Sequence, residues 1–179
     1  MLPIFLIVGA PAVGKSTVAR ALAAQYPKSI HIPVDNLRNM VVSGLAYPSD
    51  NWGQELIEQL SLARESAVQL AIRYNQAGFM VALDDFWDPN SRLLEYQPLV
   101  QNPRTRRVLL YPTQQTAQER NQKRSGSGDG SAYIAAGIQA VYERLQGEIP
   151  NLERQGWTVV DTTEKDVAAT VKHILAQGE

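Results

Sequence analysis

Near the start of this chain the apolar run Ile4-Phe5-Leu6-Ile7-Val8 passes directly into Gly9-Ala10-Pro11-Ala12-Val13-Gly14-Lys15-Ser16-Thr17, a full match to the pattern G-x-x-x-x-G-K-S/T. That order of parts narrows the choice of fold sharply. Such a loop works through its backbone: glycines let successive N–H groups converge on anionic oxygens, and the next helix adds roughly half a positive charge at its N-terminus. It therefore needs a buried strand before it and a helix after it. Both are legible, the strand in the apolar run and the helix in Val18, Ala19, Leu22 and Ala23 at helical spacing. The expectation is a site for the phosphates of a nucleoside triphosphate, formed by Gly9, Ala12, Val13, Gly14, Lys15, Ser16 and Thr17. Lys15 would reach the β- and γ-phosphates, and the Ser16 hydroxyl would ligate Mg²⁺.

Further β-type runs at 29–34, 79–83, 107–111 and 158–160 alternate with helical patterns, which predicts an α/β fold with a parallel sheet covered on both faces. Leu56, Leu60, Ala63, Ala67, Leu70 and Tyr74 recur at steps of three or four and describe the core-facing stripe of a long helix that Gly78 stops. Residues 44–52 show no such period; Tyr47 and Trp52 in this stretch read equally as exposed or half-packed aromatics and as residues lining an acceptor pocket. Residues 125–131 are almost purely Gly and Ser and read as a mobile loop. With 179 residues and no repeat or linker, the reading is a single domain over 1–179.

Composition closes off several classes of chemistry. There is no cysteine, and His31 and His173 lie far apart without a chelating partner, so zinc and thiol chemistry are out and both histidines read as structural. No basic leader precedes the first strand and no apolar run approaches the roughly 20 residues that span a bilayer, so the expected setting is cytoplasmic, with no membrane partner. A net charge of −1 gives no global field to gather nucleic acid, which would need a local patch.

In an open parallel sheet, ligands gather beyond the carboxyl ends of the strands. The second run leads into Asp35-Asn36-Leu37-Arg38, the third into Asp84-Asp85, and the fourth into a helix ending Arg120-Asn121-Gln122-Lys123-Arg124. Asp35 reads as the N-cap of a short helix over 37–43 and also as a carboxylate able to accept the proton of an acceptor hydroxyl. Arg38, one turn on, would orient that base or bind an anionic group of the acceptor. Asp84 and Asp85 must face opposite sides of an extended segment, and Asp84 is preferred for the metal because the apolar run ends at it; the pair also reads as turn or cap residues before Pro89. Arg120, Lys123 and Arg124 share one side of a helix, where they suit either a closing lid or the helix macrodipole. Arg104, Arg106 and Arg107 read first as solvated surface, and second as contacts for a phosphate-bearing acceptor.

With these elements in place the chain resembles small P-loop kinases of the polynucleotide 5′-kinase, zeta-toxin and chloramphenicol phosphotransferase group, and most of all the kinase domain of the phage-type polynucleotide kinases. The resemblance rests on the loop at 9–17, the D-x-x-R element at Asp35 to Arg38, and the R-N-x-K-R run at Arg120 to Arg124. It implies a P-loop NTPase fold with a five-stranded parallel sheet in the adenylate-kinase-like order 2-3-1-4-5, helices on both faces and a helical lid over about 113–140. It also implies Asp35 as general base, Arg38 as a contact to the acceptor phosphate, and Arg120 and Arg124 as lid arginines facing ATP. The chain is too short to hold the phosphatase domain that follows the kinase in the phage enzyme.

The expected activity is an ATP- and Mg²⁺-dependent transfer of the γ-phosphoryl group to a hydroxyl acceptor, either a polynucleotide 5′-hydroxyl or a small molecule, with Lys15, Asp35, Arg38, Arg120 and Arg124 as the catalytic set and Ser16 and Asp84 at the metal. The near-neutral charge does not favour a nucleic-acid partner. A rival reading is an ATP-hydrolysing switch with no phosphorylated acceptor; it would call for a partner-facing apolar patch, which does not stand out.

Overall fold

The computed structural model describes residues 2–47, 52–88, 93–126 and 129–177. Strand β1 (Ile4–Gly9) is buried at every position, which explains why its sequence lacks a polar alternation. It lies at the centre of a five-stranded sheet of order β2-β3-β1-β4-β5, between β3 (Met80–Phe86) and β4 (Thr105–Leu110). The edges are β2 (Ser29–Pro33) and β5 (Trp157–Val160), both only partly buried. Every pairing is parallel, so all the carboxyl ends meet at one edge. There Gly9 lies opposite Phe86 and Leu110, and Pro33 lies opposite Asp84.

Helix α1 (Lys15–Ala23) buries Val18, Ala19, Leu22 and Ala23, and packs on β3 and on α7 (Val167–Ala176). Right-handed crossovers place α1 on one face, because β1 to β2 runs the opposite way along the sheet from the other three connections. The other face carries α3 (Gln54–Gln76), the turn Leu94–Tyr96 with α4 (Gln97–Val100), and α6 (Asp129–Arg154); α5 (Gln114–Ser125) packs on α6.

Several local expectations shift by a few residues. The third strand continues past the apolar run through Asp84 and Asp85 to Phe86, because both carboxylates find partners inside the fold. The fourth begins earlier, at Thr105. The short helix is α2 (Val34–Arg38) rather than 37–43, and its N-cap is Pro33; Asp35 therefore sits in the first turn, where a carboxylate suits the positive end of the helix dipole. In α3 the buried stripe begins with Leu56, Leu60, Ala63 and Ala67, but then follows Val68, Ala71 and Asn75, leaving Leu70 and Tyr74 half-buried. Gly78 ends this segment at φ +84°, a left-handed conformation that glycine adopts without steric cost.

The Gly/Ser stretch is partly helical. Ser125 closes α5, and Gly130 and Ser131 lie in the first turn of α6. Buried Asn121 donates from Nδ2 to the Ser131 carbonyl at 2.9 Å, tying the two helices together where composition alone predicts a loop. Ser127 and Gly128 fall outside the described residues.

Candidate active site

The turn after β1 is shaped by close backbone contacts. A Cβ at Gly9 would lie 2.6 Å from the Leu110 carbonyl oxygen, so no larger residue fits without moving the central strands. Ala12 and Gly14 both have positive φ, +61° and +96°. Gly14 caps α1 with no side-chain hydrogen bond, which leaves the first-turn N–H groups directed at the loop. This is the cradle geometry that favours phosphate oxygens. The loop is also held from outside: Trp87 N–H donates to the Gly9 carbonyl at 3.0 Å, and Pro11 lies against Gly137 of α6.

Lys15 Nζ donates to the Ala10 carbonyl at 2.9 Å, within the loop. Burial pushes its pKa down, against the pull of Asp84, Asp35 and Asp85; Arg124 pushes it down further. Asp35 and Arg124 thus act electrostatically on the same ammonium, although one comes from α2 and the other from α5. Asp35, Lys123 and Arg124 are exposed. Arg38 is half-buried, and its Nε is enclosed without a hydrogen-bond partner among the described residues.

The two adjacent aspartates have separate surroundings. Asp84 accepts from Ser16 Oγ at 2.7 Å through Oδ1 and meets His31 Nε2 at 2.5 Å through Oδ2. Asp85 faces the other way, accepting from Arg64 Nε and from Tyr96 OH, both at 2.9 Å. Arg64 also pairs with Asp88 at 2.8 Å and Glu95 at 3.2 Å. Burial raises the Asp85 pKa to about 6 in spite of Arg64. A hydroxyl and a carboxylate oxygen 2.7 Å apart beside a phosphate cradle form a hard-oxygen pair that suits Mg²⁺. Among the described residues no group of three or more histidine or acidic side chains is placed to hold a metal.

Arg120 is engaged with protein carbonyls. Its Nη2 donates to the Thr162 carbonyl at 2.7 Å and its Nη1 to the Val13 carbonyl at 3.2 Å, joining α5 to the phosphate loop and to the segment after β5. Thr113, the N-cap of α5, meets that same segment by donating its N–H to Thr163 Oγ1 at 2.9 Å. Trp52 lies edge-on to Phe86 at the carboxyl end of β3, with ring centroids 6.0 Å apart, whereas Tyr47 is exposed and Pro48 to Asn51 lie outside the described residues.

Arg104, Arg106 and Arg107 lie at or beside the opening of β4, with Arg106 opposite Phe5, while the phosphate loop follows the other end of the sheet. Arg104 donates to Asn75 Oδ1 at 3.2 Å, and the Arg106 guanidinium lies over the Phe5 ring. The sequence reading misses two partners, Arg64 of Asp85 and His31 of Asp84. The sequence signal for both is slight: Arg64 interrupts an apolar helix stripe, and His31 reveals its target only once β2 and β3 are in register, with Pro33 beside Asp84.

This sheet order, with the phosphate loop at the end of its central strand, defines the P-loop kinase fold. The chain belongs to the AAA_33 family, described as an AAA domain, whose model matches residues 4–148. Shikimate kinase from Acinetobacter baumannii, solved with shikimate, superposes with a TM-score of 0.68 at 16% identity, over 99% of this chain and 93% of that one. The tunicamycin resistance protein of Deinococcus radiodurans gives 0.64 at 17% identity, covering 99% and 95% of the two chains. A gluconokinase from Sinorhizobium meliloti 1021 gives 0.61 at 18% identity, covering 97% and 90%. No curated protein matches by sequence. Among the described residues no helix is long and apolar enough to cross a membrane.

Proposed function

We propose that this protein is an ATP- and Mg²⁺-dependent kinase that transfers the γ-phosphoryl group to the hydroxyl of a small anionic acceptor. The observation that carries this reading is the contact of Ser16 Oγ with Asp84 Oδ1 at 2.7 Å beside the loop that holds Lys15, with Asp35 of α2 and Arg124 of α5 near enough to act on the Lys15 charge. A phosphoryl-transfer transition state spreads charge over three equatorial oxygens, and cations and backbone N–H groups stabilise that charge. Lys15 and Arg124 take the cationic role, and Asp35 takes the proton of the attacking hydroxyl. Ser16 and Asp84 would hold Mg²⁺, which when bound would offset the charge of the phosphate oxygens. Arg120, which donates to the Val13 and Thr162 carbonyls, ties α5 to the phosphate loop, so that the helix carrying Arg124 is fixed beside it.

Arg38 supports an anionic acceptor, because it is a half-buried cation on α2 one turn from Asp35, where a guanidinium can pair with a carboxylate or phosphate of the acceptor. The position of Arg104 to Arg107 at the far end of β4 favours a small acceptor over a polynucleotide, since those cations do not line a track leading to Asp35. The test is ATP labelled at the γ-position, offered with a panel of hydroxyl compounds that carry a carboxylate or phosphate, together with 5′-hydroxyl oligonucleotides. Labelled product from a small anion, with weak salt dependence of binding, is expected. Labelled oligonucleotide with steep salt dependence would replace the small-acceptor reading, and release of free phosphate alone under every acceptor would overturn the kinase reading.

A further inference from the structure

Asp84 is held at both carboxylate oxygens, one by Ser16 Oγ and the other by His31 Nε2 at 2.5 Å. A carboxylate only accepts, so the imidazole Nε2–H is the donor. His31 lies on β2, two residues before Pro33, the register partner of Asp84; alternation along β2 puts it on the same face of the sheet as Asp84. The side chains are 13% and 5% exposed, so little water competes for this contact. With Oδ2 engaged by His31, the carboxylate cannot rotate freely about its last torsion, and Oδ1 remains turned toward Ser16.

We propose that His31 is a positioning residue: by donating to Asp84 Oδ2 it holds Oδ1 toward Ser16 and so sets the affinity of the site for the divalent ion that accompanies the nucleotide. This rests on the reading of Ser16 and Asp84 as the metal-holding pair. His31 does not touch the reacting groups, and its role needs only an N–H donor at this point in space. Partners that orient a metal-holding carboxylate typically change metal affinity by about 10–100-fold when removed.

The experiment titrates Mn²⁺ into the protein saturated with adenylyl imidodiphosphate, with free Mn²⁺ read by electron paramagnetic resonance. His31→Met removes the donor, and the near-isosteric His31→Gln keeps one. Mn²⁺ should bind His31→Met about tenfold more weakly, while His31→Gln stays within about threefold of the wild type. Nucleotide affinity in excess EDTA should be the same for all three proteins. In assays of transfer, the Mg²⁺ concentration for half-maximal rate should rise for His31→Met, with the rate at saturating Mg²⁺ little changed. Unchanged Mn²⁺ binding by His31→Met, or by His31→Leu should the Met variant not fold, overturns the positioning role, as does binding by His31→Gln weakened by more than about threefold. Undiminished Mn²⁺ binding by Asp84→Asn overturns the metal site itself, so the two failures are distinct.

Discussion

Replacing Arg64 with methionine should cost the fold about 3–5 kcal/mol at pH 7, the usual penalty for removing one partner of a buried ion pair. Arg64 is 2% exposed and faces Asp85, Asp88 and Glu95, so one buried cation serves three carboxylates. Methionine fills similar space but leaves those carboxylates without the cation. For a domain stable by about 5–15 kcal/mol the loss is large, and at about 2–4 °C per kcal/mol it should lower the melting temperature by about 6–20 °C. Urea unfolding followed by circular dichroism, in EDTA, measures it directly.

The effect also has a direction in pH. Asp85 has a folded pKa raised to about 6 from 3.8, mainly by burial, so between those values the folded state binds a proton that the unfolded state has released. Stability therefore falls as pH rises through this window, by about 3 kcal/mol if the whole rise is realised. Without Arg64 the Asp85 pKa climbs further and the loss extends above pH 6, so the deficit of Arg64→Met should be larger at pH 7 than at pH 5. Adding Asp85→Asn to the variant should restore part of the stability at pH 7. A deficit under about 1 kcal/mol at pH 7, or one equal at pH 5 and pH 7, would refute this account of the buried network.

Two further substitutions probe the loop and the chemistry. Ala12→Gly should raise the unfolding free energy by about 0.5–1 kcal/mol, because Ala12 is held at φ +61° where a Cβ is unfavourable; a loss of stability in urea titrations would show that the alanine methyl contributes more than the strain costs. Asp35→Asn should retain slow transfer, about two to four decades below the wild type, whereas Lys15→Ala combined with Arg124→Ala should fall further, since charge stabilisation outweighs proton removal in a loose transition state. Single-turnover transfer of labelled phosphate checks this ordering, and equal rates for the two proteins would contradict it.

The phosphate loop, the alternation of strands and helices, and the acids and cations at strand ends are all legible in the residue order, because each is a local pattern: an unbroken apolar run, a helical spacing, a glycine where the backbone turns. Local pattern is weakest where a polar residue is satisfied from far along the chain. Asp84 and Asp85 look alike in the sequence, and alternation says only that they diverge. It took the packing of α1 on one face and α3 on the other to give Asp84 to Ser16 and His31, and Asp85 to Arg64. The same holds for Ser131, drawn into α6 by Asn121, and for Arg120, held by Val13 and Thr162. Local sequence determined which segments bury and which turn, since those follow from neighbours a few bonds apart. Tertiary structure alone decided which charge meets which, because burial forces every ionised group to find a partner and those partners lie tens of residues away.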